Sequence, residues 1–150
     1  MTTIHHQYML EALKQAGIAG NQGETPVGAV LVSEGKILAR AGNQVEKRQN
    51  PAAHAESLVL NEGLRVTGGK YLPEAVLYCT LEPCPMCAAA AILCRIKTIV
   101  FGAPDLRWGA CGTLYNLPQD NRFNHRIEII GGIMEKECAE LLKVFFNYKR

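Results

Sequence analysis

Apolar side chains at Met9, Leu13, Ala16 and Ile18, with polar residues between them, give residues 4–19 the period of an amphipathic helix that stops at Gly20. Residues 26–32 then read as a β-rich run, Ser33-Glu34-Gly35-Lys36 as a turn and residues 37–41 as a returning strand, which together make a β-hairpin. Asn50-Pro51 has the form of an N-cap and first helical residue. It opens a predicted helix over residues 52–65 with Ala55, Leu58, Val59 and Leu64 on its apolar side, stopped by Gly68-Gly69. Residues 75–80 form an unbroken apolar strand pattern, residues 84–94 a helix of small residues after Pro83, and residues 98–101 a further strand. A strand, a helix and a strand of these lengths predict a right-handed βαβ unit. Residues 102–125 read mostly as loop, residues 127–130 as a fifth short strand and residues 135–148 as a last amphipathic helix. The expected architecture is a three-layer α/β/α domain with a mixed five-stranded sheet, formed by residues 1–150 as one unit.

Composition narrows the class. The chain has 150 residues, of which 48% are hydrophobic and 20% charged, a globular balance that excludes disorder as the main state. Its longest unbroken apolar run is Met86 to Cys94, nine residues. A bilayer-spanning helix needs about 20, so no membrane span is expected. The first residues lack a basic stretch followed by an apolar one, and the expected compartment is the cytoplasm, where structural disulfides are rare. A formal net charge of +2 is too mild to announce a nucleic-acid partner. Of six cysteines, Cys84 and Cys87 have the spacing of metal ligands, while Cys79, Cys94, Cys111 and Cys138 read as small buried apolar residues.

The chemistry gathers at two helix starts. His54-Ala55-Glu56 sits at the second predicted helix and Pro83-Cys84-Pro85-Met86-Cys87 at the third. Two thiolates three residues apart at a helix start can face one ion, and a histidine from a neighbouring helix completes the three-ligand set of a catalytic zinc, which keeps its fourth position open for water. Helix N-termini also favour thiolate over thiol. Glu56, two residues beyond His54, is placed to move protons without binding the metal. No organic cofactor is needed, and one Zn2+ per chain is expected.

The H-A-E motif followed thirty residues later by P-C-x-x-C resembles the signature of the cytidine-deaminase-like zinc deaminases. The likeness runs nearly the whole chain, through Pro26 to Val30, Asn43, Pro51 to Glu56, Thr80 to Cys87, Val100 to Ala103, Asp105, Gly109-Ala110, Arg122 to His125 and Glu137-Cys138. Asn124-His125 and the Leu141-Leu142 to Phe145-Phe146 pattern resemble the branch that converts adenosine to inosine in tRNA. That resemblance implies His54, Cys84 and Cys87 as zinc ligands, Glu56 as acid and base, and Asn43 as reader of the purine edge. It also implies Val27 and the Ala55 backbone in the base pocket, Asp105 against the ribose-phosphate, and Phe145-Phe146 with the terminal Lys149-Arg150 against the anticodon loop of a tRNA. Homodimerisation is implied by resemblance alone. Arg107 and Trp108 stand where the family often has smaller residues or lysine, and Asn147 where it often has arginine.

Plainer roles compete for several of these residues. Asp105 can fix a turn through its own side chain, and Asn43 can serve as a turn residue at a strand end. Trp108 can cover the core or meet a second copy rather than stack on a base. Phe145 and Phe146 cannot share one helix face, which sends at least one towards the core. Lys47-Arg48 and Lys149-Arg150 can each be solvated surface, and His5, His6 and His125 carry no ligand spacing. At the level of function, two rivals share the zinc motif: a deaminase of a free base such as guanine or cytosine, and a non-catalytic zinc-stabilised RNA-binding protein. Glu56 argues against the second, because a structural site has no use for an unliganded carboxylate.

Overall fold

The computed structural model describes residues 3–149, with Tyr148 and Lys149 described by their backbone alone. The chain runs α1 (Ile4–Asn21), β1 (Gly28–Ser33), β2 (Lys36–Gly42), α2 (Val45–Arg48), α3 (Ala55–Thr67), β3 (Ala75–Leu81), α4 (Pro85–Leu93), β4 (Thr98–Ala103), β5 (Glu128–Ile130) and α5 (Glu135–Lys149). The strands lie in the order β2-β1-β3-β4-β5. β1 is antiparallel to both β2 and β3, whereas β3, β4 and β5 run parallel, so the sheet is mixed and five-stranded as the sequence predicts.

Alternation along the central strands builds a core on each face of the sheet. Ala29, Leu31, Leu77, Cys79, Ile99 and Phe101 pack with Ala55, Val59 and Leu60 of α3 and Ala88, Ala91 and Ile92 of α4. Val30, Val32, Tyr78 and Val100 point the other way, to Met9 and Ala12 of α1 and Cys138 of α5. These are the three expected layers. Among the described residues no helix is long and apolar enough to cross a membrane, and the six cysteines carry no disulfide.

α1 buries Met9, Ala12, Ala16 and Ala19, a stripe of mostly small residues, and leaves Ile18 50% exposed. Hydrophobicity alone had placed Ile18 inward; closeness to the sheet selects the alanines instead. A Cβ at Gly28 would lie 2.0 Å from the Ala12 carbonyl oxygen and 2.5 Å from the Ala16 nitrogen. The helix backbone rests directly on β1.

The second predicted helix is shifted along the chain. A short α2 precedes it, and α3 begins at Ala55 rather than at 52, with His54 as N-cap in extended conformation. Asn50 does not cap α3: its side chain accepts from the Ala52 nitrogen at 2.9 Å and closes a separate turn. The expectation that at least one of the final aromatic pair joins the core is not met: Phe145 is half-buried and Phe146 is 50% exposed, and their rings meet edge to face at 5.4 Å. Leu142 is the nearby residue of α5 that packs on the core. Arg150 lies outside the described residues.

Gly28→Ala should destabilise the protein by about 1–3 kcal/mol, as expected for overpacking. Gly17→Ala, in the same helix layer with nothing within 4 Å of the added carbon, should stabilise it by up to about 1 kcal/mol. Thermal unfolding of the two variants beside the parent checks both signs.

Candidate active site

α3 and α4 enter the site from the same side of the sheet, and each presents its N-cap residue there. His54 and Cys84 both have extended backbones, with φ and ψ of −79° and 151° and of −75° and 172°. Their carbonyls accept the first helical hydrogen bonds, from Leu58 and Ala88. Neither side chain caps its own helix. The imidazole and thiol are therefore free to face outward from the helix ends. Pro85 occupies the first helical turn of α4, where a missing N–H costs nothing, and Cys87 follows one turn in, fully buried.

The three donor atoms lie within 4.8 Å of one another. His54 Nδ1 stands 3.6 Å from Cys84 Sγ and 3.5 Å from Cys87 Sγ. Zinc bonds of about 2.3 Å to sulfur and about 2.0–2.1 Å to nitrogen at tetrahedral angles require an S···N edge of about 3.5 Å. The residues fit zinc. Without a metal the three donors share protons: hydrogen bonding from Cys87, helped by His54, pulls the Cys84 thiol down to about 4 against its burial. Hydrogen bonding to Cys84 in turn raises His54. The Cys87–Cys84 bond, with burial, pushes the Cys87 thiol up. A dication takes the place of the protons held among these groups, so metal uptake releases protons.

Glu56 lies beside this set, buried, and its Oε1 is the buried side-chain polar atom without a hydrogen-bond partner among the described residues. Burial raises its carboxyl to about 7, the neighbouring His54 opposing the rise. A carboxyl poised near neutrality with a free oxygen suits proton transfer. Among the described residues no other group of three or more His, Cys, Asp or Glu donors converges in this way.

A cavity of about 700 Å³ opens over His54, Glu56 and Cys84. Val27, Asn43 and Asp105 line it, as do Met86 and Trp108. Asn43 follows β2, tied by its backbone nitrogen to the Val27 carbonyl at 3.0 Å, and its side-chain amide makes no hydrogen bond to described residues. Ala55 is buried in the core on α3 and does not line the cavity. Asp105 does both things foreseen for it: it borders the cavity, and its Oδ1 accepts from the backbone nitrogens of Arg107 and Trp108. Trp108 does not cover the core, being 64% exposed at the rim. Phe145 and Phe146 do not line the cavity.

Two buried carboxylates escaped the sequence reading. Glu82 accepts four hydrogen bonds of 2.5–3.1 Å, from the nitrogens of Asp105, Cys111 and Thr113 and from the Thr113 hydroxyl. It ties down much of the loop predicted over 102–125. Gly109 makes room for it, since a Cβ there would lie 2.6 Å from the Glu82 carboxyl carbon. Glu24, also a cavity residue, accepts from the nitrogens of Glu46 and Lys47 and so holds α2. An acid directly after a buried strand was a signal for Glu82. Glu24 had none.

A family model for the cytidine and deoxycytidylate deaminase zinc-binding region matches residues 2–103. The chain belongs to this family. Among relatives of this zinc deaminase is the tRNA-specific adenosine deaminase of Bacillus subtilis, 50% identical over 95% of this chain and 89% of that protein. The tRNA-specific adenosine deaminase of Aquifex aeolicus is 41% identical over 96% of this chain and 95% of its own. A solved structure from work on A-to-I editing by tRNA:A34 deaminases at the wobble position superposes with a TM-score of 0.87 at 39% identity, covering 91% of this chain and 99% of that one.

Metal analysis of the purified protein should find about one zinc per chain, and Cys87→Ala should lose most of it. Glu82→Ala removes the acceptor of four donors and should lower stability by at least about 1–3 kcal/mol, read by denaturant unfolding.

Proposed function

We propose that this protein is a zinc-dependent hydrolase that converts adenosine to inosine in tRNA, at wobble position 34 of the anticodon. The observation that carries the chemistry is Glu56 Oε1, buried and unpartnered beside a three-donor zinc set. The relatives at 50% and 41% identity over nearly the whole chain support the substrate. A zinc ion held by His54, Cys84 and Cys87 supplies Lewis-acid activation of water at neutral pH.

Glu56 accepts a proton from the attacking water and passes it to ring N1 as the C6–O bond forms; it then takes the remaining proton of the new C6 hydroxyl and delivers it to the amine, so that the C6–N bond breaks, ammonia leaves and the C6 carbonyl of inosine forms. The raised carboxyl lets it hold and release a proton near pH 7. Asn43 brings an uncommitted amide to the purine edge, and Val27 bounds the base. Asp105 meets the ribose-phosphate. An anticodon loop suits such a cavity because its bases are already partly unstacked, which lowers the cost of extrusion. Phe145 and Phe146 give α5 an aromatic edge for the loop, and the basic residues Lys149 and Arg150 follow them in the sequence. Exposed Met86 and Leu93 on α4 and Leu114 and Tyr115 on the following loop offer the apolar surface for a homodimer.

Glu56→Ala should retain zinc and substrate binding while losing at least about 10²–10⁴ in rate, measured as inosine formed in an anticodon stem-loop. Near-normal turnover would assign the proton to another group. The same assay with a panel of free bases, scored for ammonia, decides against tRNA if a free base is deaminated efficiently and the stem-loop ignored. Deleting residues 147–150 should weaken stem-loop binding and flatten its salt dependence, because fewer counterions are released, with zinc content unchanged.

A further inference from the structure

Trp108 is the chain's single tryptophan, and it stands in water at the cavity rim. Large aromatic side chains are ordinarily well buried. The backbone that carries this one is fixed at several points. Glu82 Oε1 accepts from the Asp105 nitrogen at 3.1 Å, and Asp105 Oδ1 accepts from Arg107 at 2.9 Å and from Trp108 at 3.1 Å. The Gly109 nitrogen donates to the Asp105 carbonyl, and the Ala110 nitrogen to the carbonyl of Pro83, next to Cys84. The indole is thus exposed on a rigid support that is continuous with the metal-binding segment.

The cavity of about 700 Å³ falls in the upper part of the ~300–1,000 Å³ range of small-molecule sites and holds more than one purine base. Resting on the tRNA reading above, we infer that Trp108 is a stacking platform for an unpaired base adjacent to the target nucleotide, held in place by Glu82 through Asp105. Stacking on an indole tolerates any base, because every base has a π-face. The platform therefore sets affinity for an RNA loop without choosing its sequence, and it leaves the proton transfers at Glu56 alone.

With one tryptophan, intrinsic fluorescence reports this side chain. Titrating the zinc-loaded protein with an anticodon stem-loop should quench or shift the emission with the midpoint of binding. Trp108→Ala should raise KM for the stem-loop roughly 5- to 150-fold, the range for losing one stacked base. The loss should fall on KM rather than kcat, with the salt slope unchanged, and Trp108→Phe should recover most of it. An abasic residue placed in turn on either side of the target should weaken the intact protein, and at one of the two positions should cost Trp108→Ala nothing further.

An unchanged KM in Trp108→Ala, or indifference of the intact protein to both abasic substitutions, overturns the platform alone, provided that the intact protein deaminates the stem-loop. A raised KM accompanied by a lower sedimentation coefficient overturns it in favour of contact with a second copy. If the intact protein does not deaminate the stem-loop, the tRNA reading falls and the platform with it.

Discussion

Two helices that begin at one point govern this molecule. The positive ends of α3 and α4 converge because the crossovers before them deliver both chains to the same face of the sheet, and each helix places a metal donor at its N-cap. An N-cap ordinarily lends its side chain to an orphan N–H. Here both decline that role and each helix start forgoes a cap worth about 1 kcal/mol, but their partial positive charge stays directed at the thiols. Packing of both helices on Leu31, Leu77 and Ile99 is what keeps the donors at ligand distance. The metal geometry is therefore a property of the core.

Around that point three buried carboxylates have opposite fates. Glu82 is surrounded by donors, and Glu24 receives two backbone N–H groups. Glu56 has a free oxygen and a carboxyl raised by burial. A carboxylate whose lone pairs are met by fixed N–H groups is a structural anchor, whereas one that is desolvated without matching donors is driven towards its protonated form and can carry a proton. Environment, not residue type, separates framework from chemistry. It also explains why one of them costs stability: an unmet buried oxygen is unfavourable and persists because the surrounding packing is over-determined.

Local pattern was enough for the hairpin, for the strands at Ala75–Leu81 and Thr98–Ala103, and for the helix after Pro83, because in each the apolar period and the turn residues agree. It also singled out His54, Cys84 and Cys87, whose donor atoms converge, and Glu56, which shares their cavity, because two motifs at two helix starts constrain one another. It failed where a distant partner decides. Asn50-Pro51 has every mark of a helix start, yet α2 exists because Glu24, more than twenty residues earlier, binds its backbone, and Asn50 is spent on a turn. Ile18 is more apolar than Ala19, but only alanine fits where α1 touches the sheet. The loop after β4 looked unstructured because its organiser, Glu82, belongs to another segment.

Division of labour between floor and rim follows from these constraints. The floor is built from helix N-termini, core packing and one unmet carboxylate; a change in the helix starts or the packing disturbs metal and fold together, whereas a change in the carboxylate falls on proton transfer. The rim from Asp105 to Trp108 is hydrogen-bonded at its backbone but free at most of its side chains. Residues there can change what the cavity accepts without changing what it does. Trp108 stands exposed on this rim, while His54, Glu56 and Cys84 belong to the floor. Selection between substrates that share one deamination chemistry has its physical room at this edge, where a large aromatic face can be gained or lost at little cost to the fold.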